Sequence, residues 1–235
     1  MSDLLGASAR RAASLGPPVL FQGPCGPTLT MENPNNFGHG IHRLPQVFSA
    51  ADCEAFIRQA ESFGFEPATI NTVKGVRLAS EVRNNDRVIF DSAELALAVW
   101  RRVALQLPAV WMARGLAGLN ERFRFYRYSQ QQKFDWHVDG PYERSNGERS
   151  LLTLLIYLGG DYTGGETTFD VEGQLIDVRG QQGDVVFFPH RLRHRGSMVT
   201  SGTKYMLRSD VMYFPLVGAG SSTFPSLDTL RAEAQ

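Results

Sequence analysis

The residues best suited to chemistry in this chain carry lone pairs: His137 and Asp139, separated by one valine, and a histidine much later in the sequence. A strand sends positions i and i+2 to the same side. His137-Val138-Asp139, read as a strand, therefore puts an imidazole and a carboxylate on one face, two corners of a metal site. The third ligand must come from elsewhere, and His190 and His194 are the other histidines in the strand-rich half of the chain. Two imidazoles and one carboxylate on one face of a metal leave its remaining positions open. That arrangement suits non-haem Fe(II) enzymes, which bind a co-substrate and oxygen there. An HxD triplet alone is a weak sign, since it arises often by chance, and the residues leave open whether His190 or His194 completes the set.

Such a site needs rigid elements to hold it. Ser49 ahead of Ala50-Ala51-Asp52-Cys53-Glu54 predicts a capped helix start, with Cys53, Phe56, Ile57 and Ala60 at helical spacing and Gly64 as the stop. A second helix is expected from Ala93 to Leu107, with Leu95, Val99, Val103 and Leu107 facing the core and Pro108 ending it. From Leu119 the pattern changes. Phe123, Phe125 and the Tyr126/Tyr128 alternation predict a strand, and Leu151 to Leu158 is an apolar run suited to a strand buried on both faces. Further strands are expected at Glu166–Phe169, Gln174–Val178, Val185–Phe188, Gly196–Thr200 and Lys204–Tyr213, separated by glycine-rich turns. Helices followed by many short strands predict an α+β protein whose core is a sandwich or barrel.

The text around the ligands is more specific than the ligands. Tyr128-Ser-Gln-Gln-Gln-Lys-Phe134-Asp-Trp-His137-Val-Asp139 resembles the corresponding stretch of the prolyl 4-hydroxylase-like branch of 2-oxoglutarate- and Fe(II)-dependent oxygenases. So do Thr153-Leu-Leu-Ile-Tyr157-Leu, Gly164-Gly-Glu-Thr-Thr-Phe169, Gly183-Asp-Val-Val-Phe-Phe188, His194-Arg-Gly196 and Lys204-Tyr-Met-Leu-Arg208-Ser-Asp-Val-Met-Tyr213. The resemblance covers roughly residues 41–214 and is strongest from 123 onward. It implies a double-stranded β-helix, or jelly roll, with N-terminal supporting helices. The expected division is a flexible arm over 1–40, an oxygenase domain over 41–217 (helices within 49–108, jelly roll over 119–214) and a tail over 218–235.

The resemblance also implies roles. His137, Asp139 and His194 match the iron ligands, with His194 preferred over His190 for its His-x-Gly context and its ten-residue step to Lys204. Lys204 matches the cation that pairs with the distal carboxylate of 2-oxoglutarate. A lysine on a strand inside a barrel needs such a partner, because an unpaired buried charge is costly. Arg208 falls on the same side of the strand and is the alternative anchor, or a group reaching the site or the substrate. Tyr157 matches a tyrosine bonded to the same carboxylate, Tyr128 one that lines the pocket, and Thr153 and Thr167 match pocket positions. The implied cofactors are Fe(II), 2-oxoglutarate and O₂, with ascorbate as an accessory reductant. The implied reaction oxidatively decarboxylates 2-oxoglutarate to succinate and CO₂ and hydroxylates a substrate C–H. Halogenases of similar fold replace the carboxylate ligand with a small residue, so Asp139 favours hydroxylation.

Composition narrows the partners. With 24 basic and 24 acidic residues the formal charge is zero, so no field draws the chain to nucleic acid or to an anionic membrane. No apolar run approaches the ~20 residues of a membrane span, and the first residues lack a secretory core. Cys25 and Cys53 read as reduced thiols of a cytoplasmic protein. Val19-Leu-Phe-Gln-Gly-Pro24 matches most of a viral 3C-type protease site, so residues 1–24 read in part as a purification-tag remnant.

The substrate is less legible. Arg191, Arg193 and Arg195 read either as a rim attracting an acidic substrate or as a solvated strand edge. Val82-Arg83-Asn84-Asn85 resembles a segment near the substrate loop, which makes Arg83 and Asn84 candidate contacts alongside Arg193, whereas Trp136 reads as packing. Three readings follow: a hydroxylase of prolyl residues in a peptide, a hydroxylase of a small molecule or free amino acid, and a jelly roll that only binds a ligand.

Overall fold

Ser49 opens the first helix with a reciprocal cap. Its Oγ accepts from the Asp52 N–H at 3.1 Å, and the Asp52 carboxylate accepts from the Ser49 N–H at 2.9 Å. This helix, α1 (Ala50–Phe63), buries Cys53, Phe56 and Ala60 at the expected spacing and ends at Gly64. A computed structural model describes residues 36–72, 75–216 and 224–233 of the chain. Most of the expected arm, with Cys25 and the protease-like stretch, lies outside the described residues.

The first half also holds the strands β1 (His42–Leu44), β2 (Glu66–Pro67), β3 (Ile70–Thr72), β4 (Gly75–Arg77) and β5 (Asp86–Asp91). The helical pattern over 49–108 gave no sign of the last four. Next comes α2 (Ala93–Val103), capped by Ser92, whose Oγ accepts from the Leu95 N–H. It stops short of Leu107. Pro108 forces the preceding residue into an extended backbone, and a single 3₁₀ turn (Ala104–Gln106) takes up the difference.

The strand-rich half runs through β6 (Val110–Trp111), β7 (Arg114–Leu119), β8 (Arg122–Tyr128), β9 (Phe134–His137), β10 (Arg149–Gly159) and β11 (Tyr162–Gly164). It continues with β12 (Thr167–Val171), β13 (Gln174–Val178), β14 (Val185–Pro189), β15 (Arg193–Gly196), β16 (Val199–Gly202) and β17 (Lys204–Pro215), and α3 (Leu227–Glu233) follows. The single strand expected over Gly196–Thr200 is two. β15 pairs with β12 and β16 with β11, and the bend between them is held by Ser197 N–H on Glu166 O and Gly165 N–H on Met198 O.

The strands form two layers. A nine-stranded sheet runs β1-β14-β10-β17-β8-β5-β2 with β6 and β7 attached, and a four-stranded sheet runs β13-β12-β15-β9. The period of two divides the large sheet cleanly. Phe90, Phe123, Phe125 and Leu207 face α1 and α2 and pack with Phe56, Val99 and Trp100. Tyr126, Tyr128, Tyr157 and Met206 point the other way, toward Phe169 of the small sheet. This mostly β, two-layer arrangement is consistent with a jelly roll. Part of the expected C-terminal tail belongs to the core. Phe224 packs edge-on to Trp100 at 5.7 Å, Trp100 Nε1 donates to Pro225 O, and Leu230 is buried.

Gly183-Asp184 ties the layers to α1. The Gly183 N–H donates to Tyr157 O, its carbonyl accepts from Phe48 N–H, and buried Asp184 accepts from Gln46 and Gln181 N–H. Gly183 has φ +89°, and a Cβ there would stand 2.0 Å from Phe48 O. Gly183→Ala is therefore expected to destabilise the fold by roughly 2–4 kcal/mol, read as a lower midpoint in urea. An unchanged midpoint would show that this turn relaxes freely.

Candidate metal and co-substrate site

β9 and β15 are neighbours, and their register sets His137 opposite His194. The two imidazoles are anchored alike. His137 Nδ1 bonds Asp135 O at 2.7 Å and His194 Nδ1 bonds Leu192 O at 2.8 Å, each to the carbonyl two residues earlier. A carbonyl can only accept, so both Nδ1 atoms carry the proton and both Nε2 lone pairs are free. Phe134 stacks on the His137 ring at 3.6 Å.

Asp139 faces these nitrogens, with Oδ1 3.8 Å from His137 Nε2 and Oδ2 3.5 Å from His194 Nε2. The three ligand atoms lie within 4.8 Å of one another. β9 ends at His137, so Asp139 is not on the strand as expected. It occupies the irregular segment that follows, where its N–H donates to His190 O at 2.9 Å. The side chains converge all the same.

The protonation states suit a metal. Burial, reinforced by nearby His194, pushes His137 down to about 3, and burial also lowers His194. Burial opposes charge on Asp139, yet Arg208 and the two imidazoles hold its carboxyl well below the usual range. At neutral pH the set is two neutral imidazoles and a carboxylate, the donor chemistry a divalent metal requires.

Around Asp139 the structure adds supports that sequence reasoning missed. Thr153 Oγ1 donates to Asp139 Oδ2 at 2.5 Å and accepts from His190 Nδ1 at 2.8 Å. His190 Nε2 then accepts from Ser150 Oγ at 2.8 Å, and Ser150 Oγ accepts from Tyr142 N–H at 2.8 Å. Both His190 nitrogens are thus in use, and the alternative ligand of the sequence reading lies behind Asp139. Thr153 lines the cavity, but its hydroxyl serves the carboxylate. Arg208 Nη1 bonds Asp139 Oδ1 at 2.6 Å and Nη2 bonds Asp210 Oδ1 at 3.1 Å. Both Arg208 Nη atoms are thus committed to carboxylates of the protein itself.

Lys204 differs. It is 2 % exposed and lines the same cavity as the three ligands. Its Nζ donates to Gly165 O and lies 5.1 Å from the Tyr157 ring centre and 5.7 Å from that of Tyr128. No carboxylate of the described residues pairs with it. Burial drags its ammonium down to about 7, which more distant Glu166 only partly opposes. Tyr157 Oη bonds Thr167 Oγ1 at 2.6 Å. An uncompensated cation in a cavity with a metal-competent triad fits a dicarboxylate that chelates at one end and pairs at the other.

The remaining expected contacts separate. Asn84 is a loop staple: its Oδ1 accepts from Lys133 N–H and its Nδ2 donates to Gln131 O. Arg193 alternates with inward His194 and so points outward, pairing with Asp170 and stacking 4.8 Å from Trp136, with Arg195 4.6 Å away on the same ring. The arginine rim is an outer face. Arg83 does enter between the layers, 4.2 Å from the Phe134 ring centre.

The family model of the 2OG-Fe(II) oxygenase superfamily matches residues 123–209, which contain the triad and Lys204. That stretch is a 2OG-Fe(II) oxygenase superfamily domain. This oxygenase is 23% identical over 175 residues to a PKHD-type hydroxylase of Acinetobacter baumannii (strain SDF), covering 70% of this chain and 74% of that protein. Its fold matches a Pseudomonas putida prolyl-4-hydroxylase with TM-score 0.57 and 19% identity, over 74% of this chain and 93% of that one. It also matches a Trichoplax adhaerens prolyl hydroxylase, solved with a peptide fragment of the hypoxia inducible factor oxygen degradation domain, with TM-score 0.58 and 13% identity over 78% and 89% of the two chains. The oxygenase is an Fe(II)- and 2-oxoglutarate-dependent dioxygenase, which couples decarboxylation of 2-oxoglutarate to hydroxylation. No helix among the described residues is long and apolar enough to cross a membrane.

Proposed function

We propose that His137, Asp139 and His194 hold Fe(II), that Lys204 pairs with the distal carboxylate of 2-oxoglutarate, and that the oxygenase hydroxylates a C–H of a prolyl residue in a peptide. The double-stranded β-helix then runs over 119–214 and is buttressed by α1 and α2. One observation carries the residue roles: a buried, acid-free ammonium shares a cavity with three convergent ligand atoms. The peptide reading is supported by the prolyl hydroxylases of like fold, one of them solved with a peptide.

Held by His137, Asp139 and His194, iron would supply the O₂ activation that the reaction requires, in which one oxygen atom ends in succinate, with loss of CO₂ from 2-oxoglutarate, and the other in the hydroxyl of the product. The protein's own groups set the stage. Backbone carbonyls fix the imidazole tautomers, and Thr153 and Arg208 fix the carboxylate. The Lys204 ammonium orients the co-substrate, while Tyr128, Phe134 and Leu155 line the cavity and limit water.

Anaerobic titration is expected to develop a weak visible absorption only when Fe(II) and 2-oxoglutarate are both present. Prolyl peptides should then stimulate succinate release in air. Absence of the absorption would refute the residue assignment, and stimulation by free amino acids alone would replace the peptide reading with the small-molecule one.

A further inference from the structure

The cavity face of the large sheet does not end at Arg208. In the β5–β8–β17 register Arg87 stands opposite Tyr126, which stands opposite Met206, and Arg124 stands opposite Arg208. Cross-strand partners share a face, so Arg87 and Arg124 continue the surface that carries Lys204. Arg83 reaches it from the other layer. The segment before β5 bonds to the edge of β9, Asp135 N–H to Val82 O at 2.7 Å and Asn84 N–H to Lys133 O at 3.3 Å. This aims the Arg83 guanidinium between the sheets, 4.7 Å from the Tyr126 ring centre and 4.2 Å from that of Phe134. Phe134 stacks on His137, so this cluster adjoins the metal ligands.

The cluster is short of acid, with Asp139 and Asp210 the carboxylates that pair with its guanidiniums. Arg124 and Arg208 share Asp210, and Arg208 also holds Asp139. Arg83 donates through Nε to Asn85 Oδ1, and Arg87 donates to Thr69, neither of them a carboxylate. Arg83 Nη2, Tyr126 Oη and Arg208 Nε are buried without a hydrogen-bond partner among the described residues. Arg83 is 5% exposed and Tyr126 4%. Burial and its arginine neighbours, Arg83 first, lower the basicity of Arg87. Desolvated guanidiniums and a stranded hydroxyl are costly to keep, and an oxyanion satisfies both, because the guanidinium fork matches a carboxylate. Lys204 already accounts for the distal carboxylate of 2-oxoglutarate.

We infer that Arg83, Arg87 and Tyr126, flanked by Arg124 and Arg208, form a second oxyanion subsite that receives a carboxylate of the substrate itself. The inference deepens the proposed function and rests on it. The carboxylate can be the α-carboxylate of a small substrate or an acidic side chain beside the target carbon of a peptide. In both cases the charge sets which carbon meets the metal, and an amide analogue leaves the guanidiniums unpaired.

Inorganic sulfate serves as the probe, titrated calorimetrically into protein loaded with Mn(II) and 2-oxoglutarate while chloride holds the ionic strength constant. Saturable binding is expected, weakened about tenfold or more by Arg83→Met or Arg87→Met and only partly restored by Arg83→Lys. Arg87 is partly exposed, so its variant keeps the test open where Arg83→Met fails to fold. No saturable binding, or binding indifferent to both variants, overturns the inference. If Mn(II) and 2-oxoglutarate do not load, the oxygenase reading of the ligands has failed, and sulfate binding to the metal-free chain still decides the subsite. Succinate release with free carboxylic acids, and with acidic peptides amidated at the C-terminus, identifies the source of the carboxylate. Stimulation by the matched amides alone overturns the inference.

Discussion

Lys204→Met is expected to weaken 2-oxoglutarate binding by roughly 100-fold or more while leaving Mn(II) binding intact, because truncating one side of a desolvated charge pair costs several kcal/mol. Arg208→Ala should do the reverse in kind. Its guanidinium holds Asp139 and Asp210, so metal affinity falls first and 2-oxoglutarate follows. Calorimetry on both variants separates the roles, and an unaltered 2-oxoglutarate affinity in Lys204→Met would sink the anchor assignment. The same lysine gives a pH signature. Its value of about 7 in the fold lies below the ordinary 10.5. Below pH 7 the folded and unfolded chains both carry the proton, and the full cost of burying the charge is present. Between these values the unfolded chain binds more protons, so stability rises with pH through that window relative to Lys204→Met. Pairing with a carboxylate restores the charge. Binding of 2-oxoglutarate at pH 8 should therefore take up about one proton, and the affinity should fall as pH rises further. Titrations in buffers of different ionisation enthalpy measure that uptake directly.

Local pattern and resemblance made much of this legible. The Ser49 cap, the α1 stripe and the long apolar run that became β10 were visible as spacing, and the triad and Lys204 as ordered blocks of text. What escaped depended on pairing across distance. Nothing near Arg193 says which face it takes; the alternation of β15 decides it once His194 is known to point inward. The basic cluster escaped because Arg83, Arg87 and Arg124 lie on three segments that only the β5–β8 register and the β9 edge bring together. A signal was present nonetheless. Arg124, Tyr126 and Tyr128 alternate in β8 as Lys204, Met206 and Arg208 do in β17, so one face was already written as aromatic and basic. The short strands between α1 and α2 had no comparable signal. The longest of them, β5, carries Arg87, Ile89 and Asp91 at the alternate positions whose strand partners lie on the cavity side, and no clean apolar stripe marks it.

His194→Ala is expected to reduce divalent metal affinity beyond roughly 100-fold, whereas His190→Ala should retain the metal with a loss of about 10- to 100-fold, the range typical of groups that orient a ligand. The two histidines are four residues apart and both are buried, so exposure does not distinguish them. Their hydrogen bonds do. His194 spends Nδ1 on a backbone carbonyl and keeps Nε2 free toward Asp139 and His137, while His190 spends both nitrogens, on Thr153 and Ser150. The chain from Ser150 through His190 to Thr153 ends on Asp139 Oδ2, so its removal should loosen the carboxylate without removing a ligand atom. Thr153→Val cuts the same chain one step closer and should resemble His190→Ala in size. If the two act through Asp139, the double variant should lose little more than either alone, a non-additivity that independent packing defects would not produce. Mn(II) titration followed by electron paramagnetic resonance reads all four proteins. Metal retained in His194→Ala and lost in His190→Ala would reverse the ligand assignment.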